Sequence, residues 1–185
     1  SCKGFFEFGD RNFYCWREKG HGVVNGRQAI AQSCDVYFYQ IALKTGIDRI
    51  QNMAIRMGLG VMTDIGIPGE KLGIMPNRAW KKNNRGMVWT PGETVIAGIG
   101  QGFVLTTPIQ LAVMTARLAN GKKAVKASLL AQSVQSSEEF RPLNINSSVL
   151  KEIQRSMRGV ISSGRGTARK YELDGNGMAG KTGTV

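Results

Sequence analysis

The sequence predicts a mixed α/β domain in which helix dominates, and three observations point to it. Segments 35–44, 47–57, 108–119 and 148–161 repeat apolar residues at helical spacing between capping and stop residues. Glycine and proline, 24 and 5 of the 185 residues, gather between those segments in turn-forming clusters. Strand is hinted at only near the C-terminus, where glycine and β-branched residues close the chain. With 42% hydrophobic residues, a chain of 185 can bury a real core.

Taken in order, residues 1–32 are glycine-rich and aromatic without a clear period, and read as loops and short pieces around Cys2, Cys15 and His21. "DVYFYQIALK" at 35–44 is a buried helix stopped by Gly46. "IDRIQNMAIRM" at 47–57 puts Ile47, Ile50, Ala54 and Met57 on one face, with Asp48 as candidate cap and Gly58 as stop. "IGIPGE" at 65–70 and "WTPGET" at 89–94 are turn chemistry. "AGIGQGFVLTTP" is a turn feeding a helix that Thr107 caps and Pro108 opens, ending at Asn120-Gly121. That helix is nearly all apolar and is expected at the centre of the core. Residues 122–146 read as loop or short strands. "SVLKEIQRSMRGVI" is an amphipathic helix from Ser147 or Ser148, apolar at Val149, Ile153 and Met157. "SSGRGTARKYEL" reads as a flexible connection.

The net charge is +12, from 25 basic and 13 acidic residues. The densest spots, "RAWKKNNR" at 78–85 and "KKAVK" at 122–126, look like solvated loops. No zinc-finger spacing, aromatic RNA-binding box or sustained basic helix accompanies them, so no nucleic-acid partner is expected. No stretch is apolar for the roughly 18–20 residues a membrane span needs. The first residue is Ser1, not Met, and the chain is expected to be a piece of something longer.

"GNGMAGKTGTV" at 175–185 admits two chemistries. Gly175, Gly180, Lys181 and Thr182 fit a phosphate-binding loop, but such a loop needs an apolar strand before it and a helix after it. The polar "RGTARKYELD" precedes it and strand-favouring residues follow, so nucleotide binding is not expected. Lys181-Thr182-Gly183 also fits a serine acyl-transfer site on an edge strand. There the ammonium gives positive potential and a proton relay, the threonine hydroxyl binds a substrate carboxylate, and the glycine leaves room for substrate. The Thr184 N–H is suited to an oxyanion hole. Such a site needs a second serine box, and Ser33-Cys34-Asp35 supplies one, although Ser33 and Asp35 are also good helix caps.

The three cysteines and single histidine all lie within residues 1–34. Cys2, Cys15, His21 and Cys34 together make a closed tetrahedral set for a structural zinc ion. A disulfide with one thiol left over, or buried structural cysteines beside a polar histidine, are the alternatives.

With "GHGVVNGRQAIAQSCDVYFYQIALKTGIDRI", "GIGQGFVLTTPIQLAVMTARLANG", "GRGTARK" and "GKTGT" in this order, the chain resembles the transpeptidase domain of class B penicillin-binding proteins, most closely the penicillin-binding protein 2 subgroup of rod elongation. The resemblance runs over residues 1–185. It implies the penicillin-recognising α/β fold, a five-stranded sheet flanked by helices, here incomplete. It implies a peptidoglycan D,D-transpeptidase that acts on stem peptides and is inhibited by β-lactams, on the periplasmic face of the inner membrane, alongside an integral-membrane glycosyltransferase of the elongation machinery. Ser33 and Asp35 become the first and third residues of the middle box, and Lys181, Thr182 and Gly183 the third box. Some members of the subgroup carry zinc beside the middle box.

One departure is severe. The family's S-x-x-K nucleophile box precedes the middle box, and nothing before Ser33 matches it. Ser148-Val149-Leu150-Lys151 matches in letters but falls after the middle box and reads as a helix start. The nucleophile is therefore expected outside residues 1–185, with the fragment inactive alone. The alternative is a penicillin-binding-fold module that binds without catalysing.

Overall fold

The computed structural model describes residues 1–129, 140–173 and 177–183. The chain forms two compact units. Ser1–Lys44 combines with Ser148–Val185 in one, and Thr45–Ser147 makes the other.

The first unit opens with an antiparallel hairpin, β1 (Phe5–Phe8) and β2 (Arg11–Tyr14), paired from Phe5↔Tyr14 to Phe8↔Arg11 across a Gly9-Asp10 tip. Phe6 and Phe13 lie against Tyr39, with ring centroids 6.4 and 5.8 Å away. Strand was expected near the C-terminus, part of which lies outside the described residues; among the described residues the paired strands lie in the stretch read as loops and short pieces. The signal was a Gly-Asp pair between aromatic residues, which is hairpin chemistry. Helix α1 (Gly26–Ala31) starts in a capping box between Asn25 and Gln28. Helix α2 (Asp35–Thr45) buries Val36, Tyr39 and Ala42.

The long C-terminal helix of this unit, Ser147–Ser162, buries Leu150, Ser156, Val160 and Ile161. The expected stripe is displaced: Val149 is 54% exposed. Val160 and Ile161 form a core with Ala168, and Ile30 packs against it. The connection after this helix is therefore built rather than flexible. The Ala168 N–H donates to Val160 O at 3.0 Å and the Thr167 N–H to Ala31 O at 3.2 Å. A Cβ on Gly166 would stand 2.4 Å from Val160 O, so only glycine permits this approach.

The second unit holds α3 (Ile47–Met57), α4 (Arg78–Arg85), α5 (Pro91–Ala97) and α6 (Pro108–Asn120), with α3 packed on α6. Counting in chain order, the Ser147–Ser162 helix is α7. Ile47, Trp89 and Ala97 form the core, with Phe103 and Val104 against them. Full burial of a side chain such as Ile47 is worth about 1.5–3 kcal/mol.

Three expectations are corrected in this unit. Gly46, not Asp48, stands at the α3 N-cap; Asp48 instead accepts the Arg78 N–H at 3.3 Å. The stretches "RAWKKNNR" and "WTPGET" hold helices. Asn77 caps α4 through Trp80 N, and α5 begins with a Thr90–Glu93 capping box and Pro91 in its first turn. Finally, α6 is bounded as expected by Thr107, Pro108 and Gly121, yet it buries only Gln110 and Val113, and Leu111 is 44% exposed. Composition had suggested a helix buried all round, but only one stripe is covered within this unit.

Candidate functional site

Ser33 occupies the turn between α1 and α2. The Cys34 N–H donates to Ala29 O at 2.9 Å and the Ser33 N–H to Ile30 O at 3.3 Å, the paired bonds of a Schellman closure. Ser33 takes the left-handed position there, with φ 54. Glycine usually fills that position, and a side chain in it costs ~1–2 kcal/mol. Ser33 therefore ends α1 and does not cap α2 through its hydroxyl, which accepts a hydrogen bond from the Lys181 ammonium, 148 residues away. Asp35 opens α2, but its Oδ2 accepts the Trp16 N–H at 2.9 Å.

Lys181, Thr182 and Gly183 lie in irregular backbone, and no helix begins at Lys181 or Thr182. The Gly180 N–H donates to Met157 O at 3.1 Å, tying this segment to α7. The Lys181 ammonium also donates to Thr182 O at 2.8 Å. Its pKa is lowered because its charged end is partly withdrawn from water, with Asp35 acting in the opposite direction. The Asp35 carboxyl is pushed up, chiefly by burial, while the Trp16 N–H pulls it down. Thr182 Oγ1 lies 2.8 Å from Thr167 Oγ1. Thr184 and Gly175 fall outside the described residues. Ser148 and Lys151 are exposed in the first turn of α7.

The four soft-ligand residues converge in the same unit. One ligand atom from each of Cys2, Cys15, His21 and Cys34 lies within 4.8 Å of all the others. The three cysteines are free thiols. Bonds of about 2.3 Å to sulfur and 2.0–2.1 Å to nitrogen, at a tetrahedral angle, set neighbouring sulfur and nitrogen about 3.6 Å apart. The Cys2 and Cys15 sulfurs stand 3.6 and 3.5 Å from His21 Nδ1, so the donor set fits zinc. The Cys15 thiol is pulled well below its ordinary value by a hydrogen bond from Cys34, and Cys34 is pushed up by the same bond. Close backbone pairing makes this convergence possible. Cys2 exchanges hydrogen bonds with Gly22, and a Cβ on Gly20 (φ +73) would stand 2.2 Å from Cys2 O.

Two residues escaped the sequence reading. Trp16 follows Cys15, and its indole N–H donates to Gln32 O at 3.1 Å and to Ser33 O at 2.8 Å. Thr167 meets Thr182. Both lay beside residues singled out for other reasons, Trp16 next to Cys15 and Thr167 within "GRGTARK".

The serine box and the lysine-bearing box, from distant parts of the chain, are joined by a hydrogen bond, as the acyl-transfer reading of the sequence expects. The comparisons agree: the Penicillin binding protein transpeptidase domain family matches residues 3–185, and the chain belongs to that family. The peptidoglycan D,D-transpeptidase MrdA of Acinetobacter baumannii is 37% identical over 98% of this chain and 28% of its own length. A penicillin-binding protein (PBP2) of Helicobacter pylori, solved in complex with MreC, matches with a TM-score of 0.89 at 32% identity, over 98% of this chain and 34% of that one. A structure of a peptidoglycan synthase complex matches at 0.83 and 33% identity, over 97% of this chain and 31% of that one. The chain thus spans about a third of the length of each of these three relatives. The expected penicillin-recognising fold stands, with helices and a two-stranded sheet among the described residues.

Proposed function

We propose that these residues form part of a peptidoglycan D,D-transpeptidase of cell-wall elongation, inhibited by β-lactams. The observation that carries this reading is the Lys181 ammonium on Ser33 Oγ. In the proposed reaction, a nucleophilic serine that residues 1–185 do not supply attacks the carbonyl of the penultimate D-Ala of a stem peptide. The peptide C–N bond breaks, and D-Ala leaves with a proton passed through Ser33 Oγ and Lys181 Nζ. The amine of a second stem peptide then attacks the ester, gives up a proton to the same relay, and releases the serine. Partial burial brings Lys181 nearer to exchanging a proton at neutral pH, which suits a relay. Thr182, with Thr167 against its hydroxyl, is the proposed anchor for the terminal carboxylate. Gly183 leaves room for the substrate, Thr184 is assigned an oxyanion donor, and Asp35 counterbalances the ammonium.

Cys2, Cys15, His21 and Cys34 are the proposed holders of one zinc ion. Its role is structural: it braces the turn bearing Ser33, and four protein ligands leave no position for water. The reading assigns the protein to the periplasmic face of the bacterial inner membrane, with an integral-membrane glycosyltransferase as partner. The MreC complex of the Helicobacter relative supports association with cell-wall machinery. No described helix is long and apolar enough to cross a membrane.

Incubation with a fluorescent penicillin followed by a denaturing gel tests the proposal. The full-length protein is expected to label stoichiometrically and its Lys181→Ala variant to lose the label, while residues 1–185 alone stay dark. Labelling of the isolated chain at Ser33 or Ser148, mapped by mass spectrometry, overturns the assigned roles. A full-length protein that never labels favours the non-catalytic binding module.

A further inference from the structure

We infer that Trp16 is the positioning residue that holds Ser33 in its working orientation. The inference rests on the reading of Ser33 and Lys181 as a proton relay. Trp16 spends both of its N–H groups on the middle box. Its backbone N–H donates to Asp35 Oδ2 at 2.9 Å, and its indole N–H is shared between Gln32 O at 3.1 Å and Ser33 O at 2.8 Å. Gln32 O belongs to the end of α1, where carbonyls lack intrahelical partners, and Ser33 O to the residue just past that end. The turn they belong to is the left-handed one at Ser33, φ 54, whose own N–H makes only a 3.3 Å bond to Ile30 O.

The ring does this while 57% exposed, so little of its hold comes from packing. Its other neighbour is His21, edge-on at 5.4 Å, and Cys15 precedes it in the chain. Trp16 thus spans from the thiol–imidazole cluster to the serine, and the indole N–H is the group that reaches the serine's own peptide. Removing that N–H frees the turn to relax toward a commoner backbone conformation, which swings Ser33 Oγ away from the Lys181 ammonium. Because the ring is exposed, its loss leaves the core of the unit untouched.

The test uses the full-length protein and the rate of acylation by a fluorescent penicillin, resolved into reversible binding and the chemical step. Trp16→Phe is expected to slow the chemical step about tenfold or more, since small displacements of a reacting group have effects of that order. The reversible binding constant, the thermal midpoint and the number of native thiols open to a thiol reagent stay as in the wild type. Replacing Trp16 by its benzothienyl isostere, which keeps the ring and lacks the N–H, is expected to behave as Trp16→Phe does. Wild-type rates in both variants overturn the inference. So does a defect in Trp16→Phe that the isostere does not share, because ring shape would then be the cause. If Trp16→Phe exposes the thiols, the isostere alone decides. A wild type that forms no adduct defeats the transpeptidase reading instead, and the two failures are told apart by that control.

Discussion

At the scale of single residues, Ser33 carries a conflict between stability and chemistry. Its left-handed backbone suits glycine, while its hydroxyl is what Lys181 meets. Ser33→Gly is therefore expected to raise the stability of residues 1–185 by about 1 kcal/mol, read from the urea midpoint, while abolishing penicillin acylation in the full-length protein. A loss of stability would show that the turn is not strained. Ser33 and Asp35 were legible as a serine box because letters and spacing define one. Their backbone setting was not, since a serine at a helix start and a serine closing the preceding helix look the same in sequence. Trp16 was illegible for a related reason: its partners are carbonyl groups, which every residue has, so no pattern of side chains marks the contact.

At the scale of elements, helix boundaries followed from local chemistry wherever capping residues flanked an apolar period, as at Thr107 and Gly121 around α6. Thr107→Ala removes the cap and is expected to cost about 1 kcal/mol in chemical denaturation. Helices α4 and α5 were missed because proline, glycine and charge masked short segments that tertiary contacts complete. Lys81 joins them: though only 4% exposed, its ammonium donates to Val88 O at 2.9 Å and to Glu93. Burial pushes the Glu93 carboxyl up, but Lys81 and Thr90 outweigh it, and the net pKa is lowered. A carboxyl with a depressed folded pKa contributes stability that is present above its unfolded pKa, about 4.3, and is lost as pH falls through the folded value. Glu93→Gln is expected to flatten that acid limb in pH-dependent melts. It should also destabilise the protein at neutral pH by about 3 kcal/mol, because Lys81 is left charged without its partner. An unchanged acid limb would assign that titration elsewhere.

At the scale of the whole molecule, the family was legible in ordered motifs, while the division into two units was not, because it depends on which distant segments meet. The proposed zinc belongs to one unit only. Chelation is expected to speed hydrogen exchange in residues 1–44 and 148–183 and to leave 45–129 protected, as mass spectrometry of exchanged peptides can show; equal loosening throughout would argue against a structural ion at the thiol cluster. The same division bears on the order of events during synthesis. Thr45–Ser147 is one continuous stretch, whereas its companion unit is assembled from segments on both sides of it. Synthesis proceeds from the N-terminus at roughly 5–20 residues per second, so the continuous stretch has all of its chain in hand first. The segment bearing Ser33 must wait for α7 and the Lys181 segment, which bring the partners of Ile30, Ala31 and the Ser33 hydroxyl. A chaperone acting during translation would find its target in that interval, on residues 1–44, and nowhere in the unit already complete.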